Sequence, residues 1–400
     1  MCGLPPFTRI SARPAISRIL LARSAARRSL KTIDAPSPQR SDAEYLELAL
    51  ALAERGLGNV WPNPSVGCVL VRDGLIVGRG WTQPGGRPHG EVQALDQAGS
   101  KSKGATAFVT LEPCAHHGQS PPCAQALIDA GISRVVISAP DPDPRVDGHG
   151  ARMLTAAGVH VDWLEQSKAV ALNAGFLSKL QKIRPLVTLK LATTLDGRIA
   201  TSGGESQWIT GPIARARGHL LRAQHDAILV GIATALADDP ELTCRLPGMT
   251  DYSPVRVVLD SNLRLPLDCR LVKGAPARPL WVICGSGHEN AQLDDRGVDT
   301  IAVERGGDGR VDPAAAMAAL AARGITRLLV EGGSAVGTAF LAAGLVDRLA
   351  WFRAPGVIGG DGLPVFSTLN LAELENMRRF RRQGIEVLGD DVLESYVHQA

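Results

Sequence analysis

From Ser41 onward, short runs of β-branched and aliphatic residues alternate with segments of helical spacing, and this alternation narrows the possible folds most. SDAEYLELALALAERG opens it: Ser41 and Glu44 form a capping-box pattern, Leu46, Ala49, Leu50 and Ala53 share one helical face, and Gly56 ends the run. VGCVLV and LIVGRG follow as two strands joined at Asp73-Gly74, a strong hairpin signal. HGEVQALDQAG then reads as a helix, ATAFVTLEP as a strand, CAQALIDAG as a helix, RVVISAP as a strand and GARMLTAAGV as a helix. Helices packed on a sheet are the expected result. After the helical stretch SKAVALNAGFLSKLQK, Arg184-Pro185 marks a boundary, because the residue before proline is biased out of helix. A second α/β unit starts at LVTLKLATT and runs through HDAILVGIATALADDP, PVRVVLDS and PLWVICGSG to TRLLVEGGSAVGTAFLAAG. Four hundred residues exceed one comfortable core, so two domains are expected, 41–184 and 185–400.

Composition limits what those domains can do. With 45% hydrophobic and 21% charged residues the chain reads as soluble and globular, and its longest apolar runs fall short of a membrane span. Seven scattered cysteines (2, 68, 114, 123, 244, 269 and 284) do not form a disulfide framework, which points to a reducing, cytoplasmic setting. Residues 1–40 hold eight Lys/Arg and one acid, so the overall charge of +3 leaves the remaining 360 residues at −4. That body, with 4% aromatics, offers no electrostatic footprint for nucleic acid. The basic segment 1–40 reads as a disordered extension, with a transit peptide as the competing reading.

One constellation carries chemistry. His89-Gly90-Glu91 opens a helix some 25 residues before the loop LEPCAHHGQSPPC, which holds Cys114 and Cys123. A catalytic zinc takes three protein ligands and leaves a position for water, whereas a structural zinc takes four. His89, Cys114 and Cys123 make three, with Glu91 beside the ion as general acid and base, the pattern of the zinc deaminases. Pro113 before Cys114 suits a turn into a helix start, whose positive end favours thiolate. Buried thiols and a chance His-x-Glu are the bland alternative. His116 and His117 compete as ligands, but adjacent residues rarely converge on one ion and either would close the water position.

In the second half, the strand RLLV ends at Glu331, and GGSAVGTAFLAAG turns into a helix. Free amides there suit phosphate, although Gly332, Gly333 and Gly337 miss the dinucleotide spacing and a close-packed turn explains them equally well. TLDGRIA, GESQWITG and ALADDPELTCR are further polar, Gly-bearing loops beside strands.

WPNPSVGCVLV, GGRPHGEVQAL, TLEPCAHHGQSPPC and APDPDP together resemble the deaminase domain of the bifunctional riboflavin-biosynthesis deaminase/reductases. LKLATTLDGRIA, GESQWITG, ILVGIATALADDPELTCR, VLDSNLRLP and LVEGGSAVG resemble the reductase domain of that family, in the same order. The resemblance implies a cytidine-deaminase-like three-layer α/β/α domain followed by a dihydrofolate-reductase-like α/β domain. It implies removal of an amine from a diamino-pyrimidinone bearing a phosphoribosylamino group, then NADPH-dependent reduction of the opened ribose. One Zn2+ per chain would serve the first step. By the same resemblance Ala192, Trp208, Thr234, Asp238, Ser261 and the loop Gly333, Ser334, Ala335, Val336, Gly337, Thr338 and Ala339 would contact NADPH. Ser206, Arg222, Leu242, Arg245 and Glu331 would hold the phosphosugar, and two arginines suit a phosphate dianion. Lys190, on the strand entering the site, is expected to bond sugar hydroxyls or assist proton delivery. The sequence departs from the family at Gly90, where alanine is usual, and at Gln119, often a lysine or arginine. Glycine inside a helix costs about 1 kcal/mol relative to alanine, unless Gly90 precedes the first turn.

Two other readings compete: a reductase whose N-terminal zinc is only structural, and a zinc-stabilised nucleic-acid binder using the basic arm. The acidic body argues against the second. A small-molecule substrate, no nucleic-acid or membrane partner, and a homo-oligomer are expected.

Overall fold

The computed structural model describes residues 40–118 and 121–399. The basic extension through residue 39 and Gln119 lie outside the described residues. The predicted capping box is present at the first helix, Asp42–Ala53: the Ser41 hydroxyl accepts from Glu44 N, and the Glu44 carboxylate accepts from Ser41 N at 2.7 Å.

The first sheet has five strands in the spatial order Leu75–Trp81, Gly67–Arg72, Thr106–Val109, Arg134–Ile137 and His160–Trp163. Alternation along the strands sorts side chains to two faces. Val69, Val71, Phe108 and Val136 meet Tyr45, Leu46, Ala49 and Leu52 of the first helix. Cys68, Leu70, Ala107, Val109, Val135 and Ile137 meet the helices Gly90–Ala98, Cys123–Asp129 and His149–Ala156. The result is the expected α/β/α layering. Two sequence expectations need correction. The helical stretch after the first sheet breaks at Asn173 into Ser167–Leu172 and Ala174–Lys182, because the Asn173 amide bonds both Ser65 N (2.9 Å) and Ser65 O (3.1 Å). No helix starts at Cys114, which sits in extended loop; the helix begins at Cys123.

The second sheet has nine strands, and seven adjacent ones run parallel, from Val298–Val303 at one edge to Arg348–Arg353. Asp391–His398 and Phe380–Leu388 add an antiparallel edge. The parallel strands are buried on both faces, as such sheets must be. Helices Pro313–Ala322 and Ser334–Ala342 cover one face; Pro212–Ala223 and Ile232–Asp238 cover the other. Ser261, Thr234, Glu331 with the Gly333 loop, and Ala192 follow or end the carboxyl ends of four neighbouring strands, Val255–Leu259, Ala227–Gly231, Arg327–Val330 and Leu186–Thr193. Ligands of open α/β sheets bind at that edge. The guanidinium of Arg184 pairs with Asp347 through both arms at 2.6 and 2.8 Å, tying the chain entering the second sheet to the strand Arg348–Arg353. No helix among the described residues is long and apolar enough to cross a membrane.

Candidate active sites

His89, Cys114 and Cys123 converge although 25 and 34 residues separate the histidine from the two cysteines. His89 is the N-cap of helix Gly90–Ala98, which packs on the hairpin strands, while the loop after Thr106–Val109 carries Cys114. His89 Nδ1 lies 3.2 Å from Cys123 Sγ and 3.7 Å from Cys114 Sγ, and all three ligand atoms fall within 4.8 Å of one another. Neither His116 nor His117 joins that group: His117 is exposed, and His116 is half-buried with its Nδ1 unpartnered.

The electrostatics fit a metal centre. Hydrogen bonding from the Cys123 thiol, together with donation from His89 and from Cys123 N at 3.2 Å, lowers the Cys114 thiol to about 4. The amide at the start of helix Cys123–Asp129 therefore supports the Cys114 thiolate, the stabilisation expected of a helix end, supplied by a different helix from the one anticipated. Glu91 is buried, with 3% of its surface exposed, and its Oε2 has no partner. Burial pushes its carboxyl up to about 7. A buried oxygen without a partner beside a Cys2His donor set is what a site built around an ion and its water would leave. The residues fit zinc.

Gly90 is the first helical residue, so the interior-helix penalty does not apply. A methyl at that position would sit 2.6 Å from Val66 O and 3.2 Å from Trp81 Cα. Here glycine admits a close backbone approach between the helix carrying His89 and Glu91 and the strands beneath it.

The second site is a cavity of about 230 Å³ beneath the carboxyl ends of the strands. Lys190, Trp208, Arg222, Arg245 and Glu331 line it, together with Arg215, His219 and Phe352. Glu331 accepts from both arms of Arg222 and lies 3.8 Å from Lys190 Nζ. Burial alone would raise the Glu331 carboxyl; Arg222 and Lys190 instead bring it to about 2. The remaining terminal nitrogen of Arg222 donates to Thr243 O at 3.1 Å. Arg222 thus lines the cavity already paired with a carboxylate. Arg245 keeps a half-exposed side chain, its nearest carboxylate being Glu241 at 4.0 Å. His219 Nδ1 lies 3.2 Å from Thr243 O, and burial beside Arg222 and Arg245 holds the imidazole down to about 4.

Trp208 is 65% exposed, with Arg215 stacked 4.6 Å from its ring centre, which removes the core-aromatic alternative. Leu242 is buried at positive φ (56°), and Ser206 is half-buried in the loop before Trp208. The Thr234 hydroxyl accepts from Gly333 N at 3.2 Å, joining two expected coenzyme segments from neighbouring strands. Ser261 Oγ accepts from Val311 N at 2.9 Å, and Asp238 is exposed at the end of its helix. Within the loop, Ser334 Oγ meets Ser367 Oγ and Thr338 Oγ1 accepts from Ser367 N. Gly337 packs against Leu189 and Phe366, while Ala335 and Ala339 face outward near Val336. The reading missed Arg215 and His219. Both share the Arg222 face of helix Pro212–Ala223 at helical spacing, a signal present in PIARARGHLLRA.

Comparison with known proteins separates the same two regions. Residues 39–139 match the model of the cytidine and deoxycytidylate deaminase zinc-binding region, and 185–393 match the RibD C-terminal domain. The chain is 42% identical to the riboflavin biosynthesis protein RibD of Escherichia coli over 363 residues, covering 88% of this chain and 98% of that one. It superposes on Acinetobacter baumannii RibD with a TM-score of 0.82 at 36% identity, covering 90% of this chain and 99% of that one. A Thermotoga maritima structure described as a diaminohydroxyphosphoribosylaminopyrimidine deaminase/5-amino-6-(5-phosphoribosylamino)uracil reductase gives 0.79 at 34% identity, with the same coverage.

Proposed function

Since the chain belongs to the RibD family of bifunctional riboflavin-biosynthesis enzymes, we propose that it deaminates diaminohydroxyphosphoribosylaminopyrimidine and then reduces the ribosyl chain of the product with NADPH. It is both a zinc-dependent deaminase and a reductase, and we assign the first activity to residues 41–184 and the second to 185–400. The observation that carries the deaminase assignment is the buried carboxylate of Glu91, its Oε2 without a partner, beside His89, Cys114 and Cys123.

Those three residues would hold one zinc, which when bound supplies the Lewis acidity that makes water nucleophilic near neutral pH. Glu91 accepts one proton of the attacking water and passes it to the ring nitrogen as the new C–O bond forms. It then takes the second proton from the added hydroxyl and delivers it to the amine, which leaves as ammonia as the C–N bond breaks and the carbonyl forms. Its carboxyl, held near neutrality by burial, suits a group that must both take and give a proton. A reductase with only a structural zinc is not favoured, since three ligands beside a buried carboxylate oxygen without a partner describe an open site rather than a closed one.

In the reductase half, Ala192, Trp208, Thr234, Asp238, Ser261 and Gly333–Ala339 would hold the coenzyme, which would supply the hydride. Ser206, Arg222, Leu242, Arg245 and Glu331 would hold the phosphosugar, and Arg222, Arg245 and Glu331 line the cavity beneath. Arg222 fixes Glu331, and Glu331 fixes Lys190 toward the sugar. Hydride transfer depends on this alignment more than on a strong acid. The reading places a homo-oligomeric enzyme in the cytoplasm, with no nucleic-acid or membrane partner. Metal analysis and coenzyme titration test the assignments together. Purified protein should carry about one zinc per chain, lose it in Cys114→Ser, and oxidise NADPH in preference to NADH. Zinc retained at full occupancy in Cys114→Ser, or equal use of NADH, would contradict them.

A further inference from the structure

A second, larger cavity of about 760 Å³ lies between the helices Asp42–Ala53 and Ser167–Leu172 and the second sheet. Helix Pro212–Ala223 separates it from the reductase cavity: Arg217, Leu221 and Gln224 face the larger space, and Arg215, His219 and Arg222 the smaller. The larger cavity is lined by five bases, Lys168, Arg217, Arg327, Arg348 and Arg381, against two acids, Glu47 and Glu54. Glu47 answers Lys168 at 2.9 Å, and Glu386 answers Arg217 at 3.0 Å.

The other three arginines are Arg327, Arg348 and Arg381. Among the described residues none of them forms an ion pair, and Arg327 is 8% exposed. The Asp226 carboxylate near Arg327 is taken by the Thr326 hydroxyl and by the backbone amides of Thr326 and Arg327. Asp347, beside Arg348, is held by Arg184. Arg327 Nη1 donates to Leu172 O at 3.3 Å and Arg348 Nη2 to Ala171 O at 3.0 Å. Those two bonds cap the carboxyl end of helix Ser167–Leu172 and clasp the deaminase half to the second sheet. Capping leaves Arg327 Nε buried with no partner, and Arg217 Nη1 likewise. Arg327 is buried, Arg348 half-buried and Arg381 exposed, and a guanidinium keeps its charge in all three settings, so three like charges along one cavity wall favour an anion there.

We propose that this cavity binds a small phosphate-bearing anion between the two catalytic halves, held by Arg327, Arg348 and Arg381. Guanidinium forks match phosphate oxygens. The volume exceeds what phosphate alone fills and falls in the range of small-molecule sites. Leu50, Leu172, Leu349 and Tyr396 supply apolar wall for an organic group. The site is separate from both catalytic centres and does not depend on their assignment.

Calorimetric titration of the full-length zinc-loaded protein tests it, with inorganic pyrophosphate in one arm and ribose 5-phosphate in the other. Wild type should bind, and R348Q and R381Q should each weaken binding at least tenfold. R245Q, which alters the reductase cavity, should keep this binding event. Binding of both probes assigns the site to organic phosphomonoesters, and binding of pyrophosphate alone to inorganic polyanions; either result supports an anion site. Wild-type affinity in both R348Q and R381Q, loss of binding in R245Q alone, or no binding of either probe overturns the proposal. Arg381 lies on an exposed strand, so R381Q keeps the test decisive if R348Q does not fold.

Discussion

Arg222 and Glu331, 109 residues apart, meet through two parallel hydrogen bonds of 2.8 and 2.9 Å in the wall of the reductase cavity. Breaking a buried pair on one side leaves the other charge stranded, at about 3–5 kcal/mol. Arg222→Met should lose stability on that scale in chemical denaturation, moderated by Lys190 at 3.8 Å from the same carboxylate. With Glu331 held at about 2 against an ordinary 4.5, the pair's contribution is complete above pH 4.5 and fades as pH falls toward 2. Arg222→Met and wild type should therefore converge in stability at the acid end. A constant difference down to pH 2 would show that the pair is not the source.

Lys190 gives a prediction about rate. It projects from the strand Leu186–Thr193 into the cavity, 5.6 Å from the Phe352 ring centre and next to Glu331. Lys190→Met should lower the reductase kcat by about 10²-fold, the scale of a lost proton-transfer group. Ammonia release should be unchanged. A rise in KM with kcat intact would make Lys190 a binding residue only.

His225 sets a pH slope on stability. It is buried, with Nδ1 2.6 Å from Leu221 O and Nε2 2.9 Å from the Thr188 hydroxyl. Burial, with Arg327 nearby, lowers its imidazole to about 3 against an ordinary 6.5. The unfolded chain therefore takes up a proton below pH 6.5 that the folded chain refuses until about pH 3. Folding stability should fall by at most about 1.4 kcal/mol per pH unit over that window from this group. His225→Gln should show a shallower fall between pH 6 and 4. An unchanged slope would mean that other groups set the acid limit.

Gly90 tests a contact. The alanine usual in the family would place a methyl 2.6 Å from Val66 O, so the helix carrying His89 and Glu91 must move to accept it. Gly90→Ala should cost about 1–3 kcal/mol, the range of overpacking, and should release zinc more readily to a chelator. Full stability and unchanged zinc retention would mean that the backbone shifts freely there.

The proposed metal ligands were legible because imidazole, carboxylate and thiolates in that order have few other uses, and their types carried the inference across a 34-residue separation. The Arg222–Glu331 pair was not legible in the same way. Nothing local in the sequence pairs two residues 109 positions apart. The α/β alternation was readable where strands were continuous apolar runs, as in RLLV and VRVVL. It failed for Phe380–Leu388, where Arg381–Val387 are exposed and carry no buried alternation. Helix Pro212–Ala223 was missed because it is rich in arginine and buries mainly small residues, Ala214, Gly218 and Ala223, with Leu221. The cluster Arg327, Arg348 and Arg381 had no local signal, since each lies on a different strand.

The central claim is that Glu91 moves the proton in a zinc deaminase that is chemically independent of the reductase. Glu91→Gln keeps the volume and removes the base. It should retain about one zinc per chain, consistent with the same three ligands, while ammonia release from the diamino substrate falls by at least 10²-fold. NADPH oxidation on pre-deaminated substrate should stay at the wild-type rate. Ammonia release at the wild-type rate from zinc-loaded Glu91→Gln would contradict the account.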